Sequence, residues 1–598
     1  MSAPAPPRRR TSPPPPPPPR RLRRSPPRPN ARRRLNAVLI VALMMMSLIG
    51  GRLLQLQGLD RQKYAASAQS QQLHTATLVA KRGEITDRDG HPIAATVNAQ
   101  NIVADPSQIS DPVAAANDLA PLLGKPVDTL TTQLDNPLSK YALLTPTPIT
   151  PTQADKIMAL QVPGITTQDT TRRIYPDGRL ASNVVGFVNA SGAGAGGLEL
   201  SFNKILAGHN GTESFQVGAN GQPIPDGRTS LDAAVPGSTI RLTIQRDIQF
   251  AAQQAITHQV KATGALSGTV VMMNPRNGQV LALASAPGFN PNDIAHANPN
   301  HLSDPAVTDG YEPGSVNKVI TMAAALQDKL VTPLTPFVIP PSIKVADGIF
   351  HDAESHGTEH LTLTGILAKS SNIGAIKVAK KLGPDRLDYY LRAFGFGRTT
   401  GIGLPGESAG ILPPLAQWSG TTLPTLSFGQ GVVVTAVQIA SVYSTLANDG
   451  VRVTPNIIAG TAAPGQRMTA PHPPTKRRVV SAATARELRD MMEAVTSDQG
   501  TAPAARIAGY RVAGKTGTAA RSNGHGGYSG AGYTASFVGM VPADHPKLVC
   551  EVVLDRPLHG YFGGAVAAPV FHSVMSFALQ TLGIAPTFTK PPKATLTW

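Results

Sequence analysis

Between Leu35 and Gly51 lie 17 consecutive residues without a charge, closed by Arg32-Arg33-Arg34 on one side and Arg52 on the other. Seventeen residues are at the lower limit for crossing a bilayer's hydrocarbon core. Leu53, Leu54 and Leu56 prolong the apolar character, and Arg52 can snorkel past them to the interface. A cleaved signal peptide has a much shorter basic region before its apolar part, and a small-x-small site after it; neither is found here. The expectation is therefore an uncleaved transmembrane anchor over residues 35–56. The arginines hold the N-terminus in the cytoplasm, and residues 57–598 are exported from the cell membrane.

The arm before the anchor, residues 1–34, holds 11 arginines and no acidic residue, so most of the formal net charge of +17 sits there. It also holds 13 prolines, including the unbroken run Pro13 to Pro19. Such a segment buries no core and is expected to be a disordered, polyproline-rich cytoplasmic arm. It has no aromatic residue on which a base could stack and leads directly into the anchor. That points to the membrane surface as its partner, not to nucleic acid. The single cysteine, Cys550, rules out an intramolecular disulfide; inside the strand-like run Lys547 to Leu554 it reads as a buried, inert thiol.

After the anchor, Leu59 to Leu73 reads as a helical stalk, and Asp89-Gly90 as the turn of a hairpin. Residues 100–240 alternate short helices and strands with many Pro and Gly and present no catalytic constellation; Ser191 to Gly197 reads as a flexible loop. From Thr239 the pattern changes. Gly268 to Met273 and Val280 to Ala284 form a hairpin around Asn274 to Gly278, preceded by a helix from Arg246 to Thr257. Late in the chain Tyr510 to Ala513, Thr534 to Val541 and Leu548 to Leu554 read as strands, and Ala568 to Leu582 as a closing helix. The fold class is α+β: a mixed N-terminal pedestal over 57–238, then one mainly antiparallel sheet flanked by helices over 239–585, and a tail over 586–598.

Chemistry concentrates at Glu312-Pro313-Gly314-Ser315-Val316-Asn317-Lys318, a Pro-Gly turn running into a helix. Residues three apart share a helix face, so Lys318 lies one turn beyond Ser315. A serine hydroxyl needs a base to become a nucleophile, and a lysine serves only if its neutral form is favoured by burial or a nearby cation. A helix start also offers free N–H groups where an oxyanion would form. Two more stretches belong with this one: Ser370-Ser371-Asn372 and Lys515-Thr516-Gly517-Thr518. Each has a plainer alternative, a helix cap for the first and a solvated turn for the second. Together and in this order they form the Ser-x-x-Lys, Ser-x-Asn, Lys-Thr-Gly set.

That set resembles the penicillin-binding proteins and serine β-lactamases, and other stretches narrow the resemblance. Lys81 to Gly90, Arg173 to Pro176, Gly196 to Glu199, Phe394 to Gly397, Ser427 to Gly431 and Gly563 to Phe571 resemble boxes of class B, monofunctional penicillin-binding proteins. The resemblance covers nearly the whole exported chain and is greatest to the division-specific FtsI type, with the elongation-specific type next. It implies a membrane-anchored peptidoglycan D,D-transpeptidase that acts through a serine acyl-enzyme and is acylated by β-lactams. Ser315 would attack the D-Ala-D-Ala carbonyl of a donor stem peptide, Lys318 would take its proton with Lys515 helping to depress it, and Ser370 would relay the proton. Asn372, Lys515, Thr516, Gly517 and Thr518 would bind the donor, with Ser315 and Thr518 backbone N–H groups as the oxyanion hole. Gly517 would be glycine so as not to obstruct the docking groove. An amine from a second stem peptide would accept the acyl group.

The implied partners are these peptides, the membrane, and an FtsW-type glycosyltransferase with other divisome proteins. No cofactor or metal is implied. His351, His356 and His360, with Asp352, Glu354 and Glu359, are spaced unlike a helical zinc pair and read as a polar loop near the site. Two alternatives use the same motifs: a β-lactamase or carboxypeptidase, which has little use for a pedestal and an anchor, and a non-catalytic β-lactam receptor or division scaffold.

Overall fold

A computed structural model describes residues 31–64, 73–218, 224–225, 229–524 and 527–598. The arm up to residue 30 and the centre of the expected stalk lie outside them. The chain falls into two compact units, residues 1–76 with 213–231, and residues 77–212 with 232–598.

The first unit contains helix α1 (Ala31–Leu54) and most of a three-stranded sheet in which Gly211–Gln216 lies between Leu73–Leu78 and Thr229–Asp232. Arginine is a good helix former, so α1 starts ahead of the apolar run instead of at Leu35. The helical span Arg32–Gly58 contains an 18-residue window of mean hydropathy 2.2 and is long and apolar enough to cross a membrane.

In the second unit one five-stranded antiparallel sheet carries the architecture. Its strands are β1 (Ser267–Met273), β2 (Val280–Ala286), β3 (Ala513–Ala520), β4 (Tyr533–Val541) and β5 (Leu548–Asp555), in the spatial order β2-β1-β5-β4-β3. The period-two alternation buries both faces. Val270, Met272 and Phe537 join one core with α2 (Arg246–Thr263), while Val271, Met273 and Val553 join another. α2 outruns its expected end at Thr257 because the chain stays helical until Gly264, a left-handed C-cap. The first late strand starts later than expected, at Ala513, so the whole Lys-Thr-Gly stretch lies within β3. Four further helices frame the site: α3 (Lys318–Gln327), α4 (Leu363–Lys369), α5 (Asn372–Leu382) and α6 (Ala436–Ala447), with α7 (Ala568–Thr581) closing the domain.

Residues 77–212 share the second core with the sheet: Ile85, Ile93, Tyr175 and Leu198 pack together with Val271, Met273 and Val437. The hairpin expected at Asp89-Gly90 is present, Ile85–Thr86 pairing with the start of Pro92–Ala104 around a turn held by the Asp87 carboxylate. Ser191 to Gly197 is a tight turn, not an open loop: a Cβ on Gly194 would stand 1.8 Å from the Glu199 carbonyl oxygen. Arg82, Arg173 and Glu199, from three of the class B-like boxes, bind one another. Glu199 accepts from Arg82 Nε at 2.6 Å, Arg173 Nε at 2.7 Å and Tyr175 Oη at 3.3 Å, and Arg173 also donates to the Gly83 carbonyl at 2.7 Å. Glu199 is fully buried, so removing it strands two buried guanidinium groups. We predict that Glu199→Ala costs about 3–5 kcal/mol. Thermal unfolding of the detergent-solubilised chain measures this, and a loss as small as that of an exposed substitution contradicts the prediction.

Candidate active site

Ser315 sits in a 3₁₀ turn, Gly314–Asn317, that runs directly into α3. Gly314 has φ +56, and a Cβ there would lie 3.0 Å from that of Ala519, so the turn needs glycine on both counts. The Ser427 to Gly431 box holds this turn from behind. Asn317 Nδ2 donates to the Leu426 carbonyl at 2.7 Å, Thr321 Oγ1 to the Ser427 carbonyl at 2.9 Å, and the Gly314 N–H to the Gly429 carbonyl at 2.9 Å. Gly431 returns its N–H to the Glu312 carboxylate at 2.9 Å.

Lys318 is entirely buried, and its ammonium is the meeting point of the site. Its Nζ lies 2.9 Å from Ser315 Oγ, 2.5 Å from the Ser370 carbonyl oxygen, 3.3 Å from Ser370 Oγ and 2.7 Å from Asn372 Oδ1. Burial lowers its pKa from the usual lysine range to about 7, against the opposing pull of the Asp352 carboxylate. Lys515, expected to help depress Lys318, is itself pushed well down, by burial first and then by the Lys318 charge. Its Nζ donates to Ser370 Oγ at 2.8 Å, so one hydroxyl bridges the two lysines. Two ammonium groups that close titrate as a pair.

Ser370 caps α4 in the left-handed region, φ +63, which is uncommon outside glycine. Ser371 caps α5, accepting from the Gly374 N–H at 2.9 Å. The plain helix-cap reading thus describes Ser371, while Ser370 turns toward the lysines. Thr516 Oγ1 lies 2.8 Å from that of Thr501, and Thr518 Oγ1 accepts from the Gly563 N–H at 3.2 Å. Gly517 differs from its expected role. A Cβ there would stand 2.2 Å from Ser536 Oγ on β4 and 3.1 Å from the Pro313 carbonyl, so glycine makes room for the paired strand and the Ser315 turn and does not clear a groove.

A cleft of about 640 Å³ opens over these groups, lined by Ser315, Ser370, Asn372, Thr516 and Thr518. Lys318, Lys515 and Gly517 lie behind this lining. Its rim adds residues that sequence reasoning did not assign to the site: Gln499 to Thr501, and Phe562, Gly564 and Ala565 at the start of the last box. β3 is the outer strand of its sheet and so leaves one row of backbone groups without a strand neighbour. The three histidines do not gather. His356 meets Asp352 at 3.1 Å, His360 packs edge-on against Trp598, and His351 contributes its carbonyl to Asn372 Nδ2 at 3.0 Å. Cys550 is buried on β5, its thiol pushed up by burial and by Glu551.

Serine, buried lysine and second serine on one hydrogen-bonded path, with a strand edge beside them, form a geometry for acyl transfer. Residues 268–576 match the penicillin-binding protein transpeptidase domain, and residues 77–242 match the penicillin-binding protein dimerisation domain. The chain belongs to the class B penicillin-binding proteins. It is 37% identical over 543 residues to the penicillin-binding protein PbpB of Mycobacterium tuberculosis, covering 86% of this chain and 80% of the relative. It is 33% identical to the peptidoglycan D,D-transpeptidase FtsI of Escherichia coli, covering 90% of each. The crystal structure of penicillin-binding protein 3 from Mycobacterium tuberculosis complexed with ampicillin superposes with a TM-score of 0.70 at 34% identity, over 88% of this chain and 100% of that one. This penicillin-binding protein is accordingly a transpeptidase of α+β architecture.

The buried lysine has a thermodynamic signature. The unfolded chain keeps the Lys318 proton up to about 10.5, whereas the folded protein releases it near 7. Between those values the unfolded state binds more protons, so folding gains stability as pH rises, and below about 7 the full cost of a buried charge is present. Lys318→Met is predicted to raise the thermal midpoint by several degrees below pH 7, with the advantage shrinking toward pH 10.5. A difference independent of pH, measured by scanning calorimetry, contradicts this.

Proposed function

We propose that this chain is a membrane-anchored peptidoglycan D,D-transpeptidase of the cell-division machinery, acting through an acyl-enzyme on Ser315. The observation that carries the chemistry is the buried Lys318 amine, 2.9 Å from Ser315 Oγ. With Lys318 neutral, Ser315 Oγ attacks the carbonyl carbon between two D-alanines, and its proton passes to Lys318 Nζ. Ser370, bridged to both lysines, hands a proton to the departing D-alanine nitrogen as the C–N bond breaks, a step of general acid catalysis. Backbone N–H groups of Ser315 and Thr518 stabilise the oxyanion, where one donor is commonly worth ~3 kcal/mol. Asn372 holds the donor peptide backbone, Lys515, Thr516 and Thr518 its terminal carboxylate. The donor pairs along the free edge of β3, and Gly517 keeps that strand close to Ser315. An amine of a neighbouring stem peptide then attacks the ester carbonyl, forms the cross-link and returns the proton to Ser315. A β-lactam enters the same path, and its ring-opened acyl group stays on Ser315.

The further parts of the reading follow from sequence. Residues 1–34 form a cytoplasmic arm, 35–56 the anchor, 57–238 the pedestal, 239–585 the transpeptidase domain and 586–598 the tail. The flanking arginines favour a cytoplasmic N-terminus and an extracytoplasmic catalytic domain. The likeness to FtsI of Escherichia coli supports a septal role, with an FtsW-type glycosyltransferase as partner.

Two measurements test the proposal. Mass spectrometry of the penicillin-treated protein is expected to find a covalent adduct on the peptide carrying Ser315 and none in Ser315→Ala; an adduct elsewhere, or none at all, sinks the mechanism. A fluorescently tagged copy is expected at mid-cell, and a side-wall distribution would replace the division role by elongation.

A further inference from the structure

The loop from His351 to Glu359 is a polar segment beside the cleft, and the reaction described above makes no use of its side chains. Its geometry is nevertheless specific. The Asp352 carboxylate is nearly enclosed, with a side-chain exposure of 9%. Its Oδ1 accepts the Ile373 N–H at 2.9 Å, and its Oδ2 accepts Ser371 Oγ at 2.7 Å and His356 Nε2 at 3.1 Å. The adjoining His351 carbonyl accepts Asn372 Nδ2 at 3.0 Å, which turns Asn372 Oδ1 toward Lys318 Nζ, 2.7 Å away. Asp352 therefore clamps the turn from Ser370 to Ile373 from one side while Lys318 holds it from the other. That turn contains the left-handed Ser370, a conformation its surroundings must maintain.

His356 completes the clamp. Its second ring nitrogen, Nδ1, lies 2.5 Å from the Gly357 carbonyl oxygen. Both ring nitrogens thus face oxygen atoms that can only accept, and a neutral imidazole has one N–H to give. Only the imidazolium satisfies both contacts. Its charge matters at the lysine because the Asp352 carboxylate acts on Lys318 against the effect of burial.

We propose that His356 is a positioning residue for acyl transfer: as an imidazolium it holds Asp352 against the Ser371–Ile373 turn and offsets the charge that this carboxylate exerts on Lys318. The inference rests on reading Lys318 as the base for Ser315. The charged groups around His356 are Asp352, Glu354 and Glu359 on its own loop, and Lys369 at the end of α4, which pairs with Glu359 at 2.7 Å. Beyond Asp352 stand Lys318 of α3 and Lys515 of β3. Burial lowers the pKa of His356, but the Gly357 carbonyl and Asp352 outweigh it, and the net direction is upward, as the double contact requires.

The test is the pH dependence of acylation by a fluorescent penicillin, measured on the full chain in detergent across roughly pH 5–9. Acylation rises with pH as Lys318 loses its proton. His356→Gln keeps a side-chain donor but removes the charge, leaves Asp352 uncompensated, and is expected to move the rising limb to higher pH by about half a unit, about threefold in rate at a fixed pH on the limb. His356→Lys restores the charge and is expected to bring the limb back. Asp352→Asn removes the opposing charge and is expected to shift the limb the other way. If it fails to fold, the two histidine variants decide. Limbs that coincide with the parent's, even beneath a lowered plateau, make His356 merely structural and overturn the inference, as does a shift of His356→Gln to lower pH. A parent protein that takes no label at all overturns the transpeptidase reading itself and this inference with it, so the two failures are distinguishable.

Discussion

Burying an ammonium group is among the costlier things a fold can do, and this one buries Lys318 completely and surrounds it with Ser315, Ser370 and Asn372. In water the same lysine would hold its proton and be useless as a base. Inside, desolvation favours the neutral amine, and the hydroxyl and carbonyl oxygens around Nζ keep either protonation state hydrogen-bonded. Most of the site's construction follows from that requirement. The 3₁₀ turn brings Ser315 beside the amine, the left-handed Ser370 aims a hydroxyl and a carbonyl at it, and β3 brings up a second lysine on the far side of Ser370.

Such a meeting of distant segments needs rigid support. Leu426 and the Ser427 to Gly431 box bond to the Ser315 turn and to α3 through backbone carbonyls. The C-terminal tail braces α4: the Thr362 N–H donates to the Leu596 carbonyl at 3.0 Å, and a Cβ on Gly365 would stand 2.0 Å from that same oxygen. Asp352 and His356 hold the opposite side of the Ser370 turn. Each support acts through backbone groups or a saturated carboxylate, so the side chains of the proposed site inherit a fixed geometry and do not have to find one.

The buried Glu199 cluster follows the same electrostatic logic to a different end. There a fully buried carboxylate offsets two guanidinium groups, each of them nearly buried. At Lys318 no carboxylate touches the ammonium among the described residues, Asp352 acting on it only from beyond Asn372 and the Ser370 turn, and the cleft is adjacent. Paired buried charges lock a module, whereas the unpaired buried amine is primed to exchange a proton.

Much of this protein could be read from residue order alone. Uninterrupted apolarity between arginines specifies a helix that can cross a membrane, because lipid tolerates no unsatisfied backbone. Turn chemistry at Asp89-Gly90 and Asn274 to Gly278 specifies hairpins. The three short motifs name the residues that line or back the cleft, since spacing along the chain survives folding. Other features had no local signal. Gly517 faces the Ser315 turn and not a groove because strand register decides which way each residue points. The Arg82, Arg173 and Glu199 boxes find each other because their partners are set by the packing of one module. That Asp352 and His356 stand behind the Ser370 turn was decided only by tertiary structure. Burial, pKa and hydrogen-bond partnership belong to the volume around an atom, and that volume is filled by segments remote in sequence.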